Sequence, residues 1–303
     1  MSDVTDIPNV PPAAAQVAVA TPRQAMMRRA RRHAGLIFGT VVIGLILALA
    51  LLAPMLAPHS PYAQDLMARH MKPVFMGGTW EHPLGTDHLG RDYLSRLLYG
   101  ARVSLMIGVV AASISAVIGT TMGVLAGFFG GRVDAVVSFM INVRLAMPVV
   151  LVALAVVALF GGSLTVVITV LGLLLWDRFA VVLRAATMQV RGMEYVAAAR
   201  VLGTPLPRLL VKDVLPNVAN HLIVILTLEM AHAIILEAAL SFLGLGVQPP
   251  TPSWGLMISE GKEMLLFQPW LITIPGIALF VLVLAINMLG DGIRDVTAPE
   301  GRN

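Results

Sequence analysis

The chain of 303 residues has a composition far from that of a soluble domain, with 57% hydrophobic residues, 13% charged residues and a mean hydropathy of +0.84. This composition excludes a soluble globular protein and predicts an integral membrane protein. The chain has no cysteine, which excludes a disulfide framework and thiolate chemistry. Its net charge of +4 comes without a basic and aromatic pattern, so it indicates basic cytoplasmic loops rather than binding of nucleic acid.

The first third of the chain contains one predicted span and one long polar connection. Residues 1–34 are rich in Pro, Ala and then Arg, which predicts a loose cytoplasmic tail. Residues 35–57 are predicted to form the first transmembrane helix, because about twenty apolar residues cross a bilayer and no clean signal cleavage site follows. Residues 58–100 form an external loop with candidate turns at Pro73 and Gly77-Gly78. We predict no metal site in this loop, since scattered polar residues are usually only solvated. The residues considered for such a site are His82, Asp87, His88 and Asp92.

Three further spans are predicted before the next long polar stretch. The second, 103–128, carries Gly and Ala at four-residue spacing, which lets helix backbones approach closely and predicts an interior helix. The third, 135–160, is interrupted by Arg144 and Pro148. We expect the Arg144 side chain to extend to the cytoplasmic surface rather than to serve a site within the membrane. The fourth, 164–183, ends in the polar string WDRFAVVLR.

The longest polar interruption among the later spans is GMEYVAAARVLGTPLPRLLVKDVLPN, residues 192–217. Residues 194–202 are predicted to form a short helix, which Gly203 closes in a left-handed conformation. A second helix is predicted from Thr204-Pro205 to 214, and Pro216 is expected to prevent its continuation. This pair is too polar to lie in lipid and too small to form its own core, so we predict that it docks on another protein. In the second helix the apolar and basic side chains fall on different faces. These side chains are Leu206, Leu209, Leu210 and Val214 on one face, and Arg208 and Lys212 on another.

The fifth predicted span, 221–243, carries titratable groups on one helical face. Glu229 and Glu237 stack with Ala233, and His232 lies beside them. Isolated carboxylates are costly in lipid, so this face is expected to look onto the bundle interior or a water-filled path. Lining of a translocation path, interhelical hydrogen bonding and catalysis all remain open as roles for these groups.

A sixth span, 269–289, follows a proline-containing external loop and completes the predicted bundle. With the N-terminus inside, the segments on that side carry 15 of the 21 Lys and Arg residues. This bias predicts that both termini are cytoplasmic, including the C-terminal tail 291–303, and it places the loop 192–217 in the cytoplasm.

The stretch 192–217 resembles the EAA loop of binding-protein-dependent ABC importer permeases. In that family Glu-Ala-Ala is followed by a Gly and then by a segment ending in Leu-Pro. Asp213 stands here where the family often carries His. Two further strings, HPLGTDHLGRDYLSRLLYGAR from 82 and EAALSFLGLGVQPPTPSWG from 237, resemble the dipeptide, oligopeptide and nickel subfamily, as does NMLGDGIRD near the C-terminus. The positions that match the EAA pattern are Glu194, Ala197, Ala198, Gly203, Leu215 and Pro216.

The resemblance implies an all-α membrane protein, a type I ABC importer permease bundle of six transmembrane helices with its permease domain at 101–290. It implies a bacterial inner-membrane chain whose loop 192–217 is a cytoplasmic coupling-helix loop, with leucines that fill a groove on an ATPase. Dipeptides, oligopeptides, nickel chelates, glutathione and opines are all compatible substrates. The residues assigned to ATPase coupling are Glu194, Ala198, Gly203, Leu206, Arg208, Leu209, Leu210, Lys212, Leu215 and Pro216.

The partners implied by the resemblance are separate polypeptides. They are a second homologous permease, two cytoplasmic ATPase subunits and an external solute-binding protein. ATP and Mg would be bound by the ATPase subunits, and no cofactor by this chain.

Other classes of function lack their motifs in this sequence. There is no G-x-x-x-x-G-K-[ST], H-E-x-x-H or G-x-S-x-G string, so we predict no catalytic residue. The string 288–291, MLGD, is similar to part of the G-x-G-D of intramembrane aspartyl proteases, but its first Gly is absent and no other span supplies a second Asp. A passive channel would need a filter motif. The leading alternative is a secondary, ion-coupled transporter that uses Glu229, His232 and Glu237.

Overall fold

The computed structural model describes residues 22–297, and this part of the chain is built from helices joined by turns and short 3-10 segments. Residues 1–21 and 298–303, which belong to the two predicted tails, lie outside the described range. The helices in chain order are α1 (Pro22–Ala30), α2 (Ala34–Leu51), α3 (Ala53–Leu56), α4 (Tyr93–Phe129), α5 (Gly131–Ala146), α6 (Val149–Phe160), α7 (Leu164–Leu174), α8 (Trp176–Arg191), α9 (Glu194–Val201), α10 (Leu206–Leu209), α11 (Leu215–Phe242), α12 (Trp254–Gly261) and α13 (Trp270–Thr297).

Five helical segments are long and apolar enough to cross a membrane: α2, α4, α7 with α8, α10 with α11, and α13. The helices α5 and α6 form a pair bent by 82°, which adds a sixth span if the pair counts as one. The bend falls at Pro148, because proline has no N–H to donate and disfavours a helical conformation in the preceding residue. The predicted all-α membrane fold is confirmed.

Three predicted helix boundaries are wrong. The helix α4 begins at Tyr93 rather than 103, because the Asp92 carboxylate caps it by accepting a hydrogen bond from the Ser95 N–H at 2.8 Å. The helix α8 continues to Arg191 rather than ending at 183. Pro216 does not end a helix, because it lies in the first turn of α11, where a missing N–H is tolerated.

The predicted close approach of the second span is confirmed by its packing against α8. A Cβ atom added at Gly119, Gly123 or Gly127 of α4 would lie 2.3–2.6 Å from a backbone oxygen of α8. Only glycine permits this separation, because any larger side chain would push the two helices apart. The pair α4 and α8 therefore forms the spine of the bundle.

The external loop of the sequence analysis is a layer packed on one end of this spine. Its predicted turns are confirmed, since a 3-10 turn at Val74–Met76 lies between Pro73 and Gly77. The layer also includes α12, a helix that the sequence analysis treated only as a rigid loop. The Trp254 indole of α12 donates to the Leu97 carbonyl at 2.9 Å, and this bond fixes α12 against α4.

The loop 192–217 and both described ends of the chain lie at the opposite end of the bundle. His33, before α2, pairs with Asp295 of α13 at 3.0 Å. Arg294 and Asn217 line one common cavity, which places the end of α13 beside the loop.

Candidate functional sites

The first half of the loop 192–217 is a short helix closed by a glycine. Gly203 has φ +75°, a conformation that glycine adopts without the steric cost of a Cβ atom. The Thr204 N–H donates to the Ala199 carbonyl and the Gly203 N–H to the Arg200 carbonyl, both at 3.0 Å. These two bonds form a Schellman motif, so the predicted left-handed closure at Gly203 is confirmed.

The second half of the loop is continuous with the fifth span. After α10 the chain makes a π-helical turn, Leu210–Val214, and then enters α11, so that 206–242 is one helical run. The wider turn accommodates the ring of Pro216, which would crowd a carbonyl of a regular α-helix. The Asp213 carbonyl accepts hydrogen bonds from the Asn217 amide at 2.6 Å and the Tyr195 hydroxyl at 3.3 Å. These side chains satisfy a carbonyl at the irregular turn.

The predicted apolar face of the second helix is mostly used within the permease itself. Leu209 and Val214 have no exposed surface and pack in a cluster with Val196, Phe128 and Leu183. The prediction that Leu209 fills a groove on a partner is therefore wrong, because periodicity identifies an apolar face but not what covers it. Leu209 instead anchors the loop on α4 and α8.

The most exposed apolar side chains of the loop lie at its tip, where α9 meets α10. Val201 is 88% exposed and Leu202 84%, and Leu206 beside them is 47% exposed. We call Val201, Leu202 and Leu206 the apolar tip. Val201 and Leu202 were not among the predicted coupling residues, although their position directly before Gly203 was a usable signal. Of the other predicted coupling residues, Glu194, Ala198, Gly203, Arg208, Lys212 and Pro216 are exposed, while Leu210 and Leu215 are half-buried.

A charged cluster lies at mid-depth in the bundle. Glu229 is the fifteenth of the 28 residues of α11 and is 1% exposed. Its carboxylate accepts from the Arg178 guanidinium at 3.0 Å and lies 3.2 Å from Nδ1 of His232. Arg178 belongs to α8, so this group joins two spans. The predicted neighbours Glu229 and His232 are thus brought together.

Glu237 is separated from that cluster. Its fully buried carboxylate accepts from the Ser241 hydroxyl at 2.7 Å and the Ser253 hydroxyl at 2.9 Å. Ser253 caps the start of α12, so Glu237 joins α11 to the external layer. Of the two surroundings expected for this face, Glu237 has the bundle interior, because α12 covers this part of the helix, and of the open roles it takes interhelical hydrogen bonding.

Arg144 also differs from its predicted role. It is 7% exposed and its Nε donates to the Leu174 carbonyl at 2.7 Å, with a second, longer bond of 3.4 Å from Nη1 to the Met147 carbonyl. These carbonyls lie at the end of α7 and at the bend between α5 and α6. Arg144 therefore satisfies backbone groups freed by two helix breaks instead of extending to the membrane surface.

The polar residues of the external layer are engaged in ion pairs. Asp87 contacts Arg91 at 2.6 Å and Arg96 at 3.2 Å, and both arginines reach Glu260 of α12, at 3.0 and 2.6 Å. The Asp92 carboxylate lies 2.8 Å from Nδ1 of His82. His59, Glu81 and His82 bring possible ligand atoms within 4.8 Å of one another. The expectation of no metal site stays a prediction.

A helical bundle with an exposed apolar loop tip at one end and a charged cluster at mid-depth has the features of a membrane transport subunit. Residues 119–302 match the family model described as the inner membrane component of binding-protein-dependent transport systems, and residues 21–73 match the N-terminal transmembrane domain of oligopeptide transport permease C. The chain belongs to the family of binding-protein-dependent transport system inner membrane components.

Relatives named as peptide transport permeases match nearly the whole chain. The dipeptide transport system permease protein DppC of Haemophilus influenzae is 35% identical over 92% of this chain and 95% of its own. The di/tripeptide transport system permease protein DppC of Pseudomonas aeruginosa is 37% identical over 97% and 98%. A solved chain of the MetNI methionine ABC transporter, in an inward-facing conformation, has a TM-score of 0.56 at 18% identity and covers 67% of this chain.

These matches confirm the resemblance drawn from the sequence. The chain is a multi-pass permease subunit of an ABC importer, and its family works with ATPase and substrate-binding components. It is not itself an enzyme. Nothing in the comparisons favours the ion-coupled transporter.

Proposed function

We propose that this chain forms half of a translocation path for peptides, beside a second homologous permease. Two cytoplasmic ATPase subunits would drive it, with ATP and Mg bound there and no cofactor bound by this chain, and an external solute-binding protein would deliver the substrate. The similarity to dipeptide and di/tripeptide permeases supports a peptide as the substrate.

The loop 192–217 and both termini would face the cytoplasm. The charge bias of the sequence supports this orientation. Arg144 and Arg178 lie at helix breaks within the predicted spans, so they no longer count as loop residues in this charge bias. The arginines of the loop and of α1 still favour the same side.

The apolar tip is the observation that carries the coupling role. Val201 and Leu202 remain almost fully exposed although Val196, Leu209 and Val214 of the same loop pack on α4 and α8. Arg208 and Lys212 are exposed nearby on the same loop. Buried apolar anchors with a charged rim are what a protein interface uses for affinity and orientation. An ATPase groove that receives Val201, Leu202 and Leu206 would complete this surface.

The remaining loop residues would hold the apolar tip in position. Leu209 anchors it from below, Gly203 sets the angle between α9 and α10, and the Arg200 guanidinium lies 4.5 Å from the centre of the Phe128 ring of α4. Because 206–242 is one helical run, movement of the tip would be transmitted directly to the fifth span.

Leu202→Asp tests the coupling role. A carboxylate at the apolar tip would have to be desolvated in the ATPase groove, so we expect stimulation of ATP hydrolysis by the loaded binding protein to fall at least roughly tenfold. The measurement is ATPase activity of the assembled complex in liposomes, with co-purification of the subunits as the check on assembly. Leu202 is 84% exposed, so the variant is expected to fold.

Met27→Asp is the matched control, because Met27 is an apolar side chain, 60% exposed, at the same end of the bundle but on α1. It should retain stimulated turnover. Wild-type stimulation by an assembled Leu202→Asp complex would refute the coupling role of the tip.

A further inference from the structure

Asp177 is a buried carboxylate that the coupling role does not use. It is 6% exposed, and the ion pairs and hydrogen bonds found among residues 22–297 include none to its carboxylate. Burying an ionised carboxylate without a partner is costly, so such a group requires a cation that arrives from elsewhere.

Asp177 lies at the middle of a membrane-spanning helical segment. It is the fourteenth of the 28 residues of the span 164–191, which places it about 20 Å from either end at the helical rise. It follows directly on the break between α7 and α8 at Leu175. Transporters commonly bind substrates at this depth, where interrupted helices supply polar groups.

Asp177 faces a cavity of about 170 Å³. This space exceeds the roughly 30 Å³ occupied by one water molecule and accommodates an ammonium group with its neighbouring carbons. The cations around it are already engaged, since Arg144 donates to backbone carbonyls and Arg178 pairs with Glu229. The cavity is lined by Arg144, Leu145, Met147, Val149, Leu175, Asp177, Arg178 and His232.

The charges of the cluster favour a zwitterionic ligand. Two arginines and the Asp177 carboxylate line the cavity, and the Glu229 carboxylate, which does not line it, pairs with Arg178. With all four groups ionised the charges sum to zero, so a ligand with one ammonium and one carboxylate adds no net charge there. The Arg178 side chain pairs with Glu229 but is 57% exposed, so a ligand carboxylate can also reach it.

We propose that Asp177 binds the α-ammonium group of the transported peptide as it passes the middle of the membrane. This inference rests on the proposed peptide import. The ammonium supplies the positive charge that Asp177 lacks, while Arg178 and His232 line the same cavity and Glu229 holds Arg178 from outside it. Asp177 is thus a specificity-determining residue for substrates with a free amino group.

The experiment measures peptides imported per ATP hydrolysed, using the fully assembled importer with its binding protein in liposomes and radiolabelled Ala-Ala. Asp177→Asn keeps the side-chain shape and removes the charge, and we expect at least a roughly tenfold fall in this ratio with stimulated ATPase activity retained. Asp177→Glu restores the charge and should stay within about threefold of wild type. Asp291→Asn removes an exposed carboxylate at the end of α13 and should match wild type.

Three outcomes would overturn the inference. Asp177→Asn could import as many peptides per ATP as wild type, or Asp177→Glu could lose as much as Asp177→Asn, which would indicate packing rather than charge. Replacing Na⁺ by choline could abolish wild-type import, which would assign the site to an inorganic cation. Failure of the wild-type complex to import peptide with ATP is a different result, since it refutes the proposed function itself.

Discussion

The two ends of the bundle satisfy their polar and apolar groups in opposite ways. At the external end, Asp87, Arg91, Arg96 and Glu260 pair with one another, and none of these side chains is more than 15% exposed. At the other end, the loop 192–217 buries one face on α4 and α8 but leaves its apolar tip in contact with solvent.

This difference indicates which end needs another protein. The charged residues Asp87, Arg91, Arg96 and Glu260 of the external layer have their partners within the chain, whereas Arg208 and Lys212 of the loop are exposed. Both ends also expose apolar side chains, Leu266 and Met67 in the external layer and the apolar tip in the loop. The loop is distinguished by exposed apolar surface next to exposed cationic side chains, a combination typical of a protein interaction site.

The largest expected effect is a difference in labelling between cysteines introduced at two leucine positions, one at each end of the bundle. The chain has no cysteine, so Leu202→Cys and Leu266→Cys each introduce a single thiol, at positions 84% and 90% exposed. In sealed right-side-out vesicles a membrane-impermeant maleimide should label Leu266→Cys fully and Leu202→Cys only after lysis. The reverse pattern would refute the cytoplasmic loop and with it the coupling role.

A second prediction concerns a substitution that disrupts the ion-pair network of the external layer. Arg96 is fully buried and pairs with Asp87 and Glu260, so Arg96→Met leaves two carboxylates without this partner. We expect a loss of about 3–5 kcal/mol in the free energy of unfolding, measured by denaturant titration in detergent.

Arg102→Met is the control for this loss, because Arg102 is exposed on the same helix and lies 5.7 Å from the Tyr99 ring centre. Its removal should cost less than about 1 kcal/mol. Equal effects of the two substitutions would mean that the buried network does not stabilise the external layer.

The smallest expected effect comes from changing the left-handed residue Gly203, which closes α9. Gly203→Ala puts a Cβ atom on a residue with φ +75°, at a cost of about 1–2 kcal/mol, and should distort the angle between α9 and α10. Gly192→Ala is the matched change at φ −79°, where alanine fits. We expect stimulated ATPase activity to fall several-fold for Gly203→Ala only, and equal activities would contradict the importance of the Schellman closure.

Local signals in the sequence predicted much of this loop. Gly203 followed a short helix of small residues, and its left-handed conformation is as predicted. The burial of Leu209 was not predictable in the same way, because the covering residues Phe128 and Leu183 come from distant segments. The ion pairs of Arg96 with Glu260 join residues 164 positions apart for the same reason.

The position of Asp177 near the middle of a span was hidden by hydropathy. The predicted fourth span ended at 183, where apolar residues become sparse, so Asp177 fell near one end of it. Asp177 is instead buried at the middle of the run 164–191, because the helix continues to Arg191. Composition along a span thus gives its existence better than its depth when one face lines a cavity.

Because residues 206–242 form one helical run, the fifth span and the second half of the loop can move as one body. Leu206 and Glu229 are separated by about 35 Å along a single rod. A tilt of roughly 10° about the inner end would displace the Glu229 carboxylate by about 6 Å over that length, further than the 3.0 Å that separates it from Arg178. A small rotation at the inner end is therefore sufficient to open the Glu229–Arg178 pair beside the cavity, without any flexible segment between the two places.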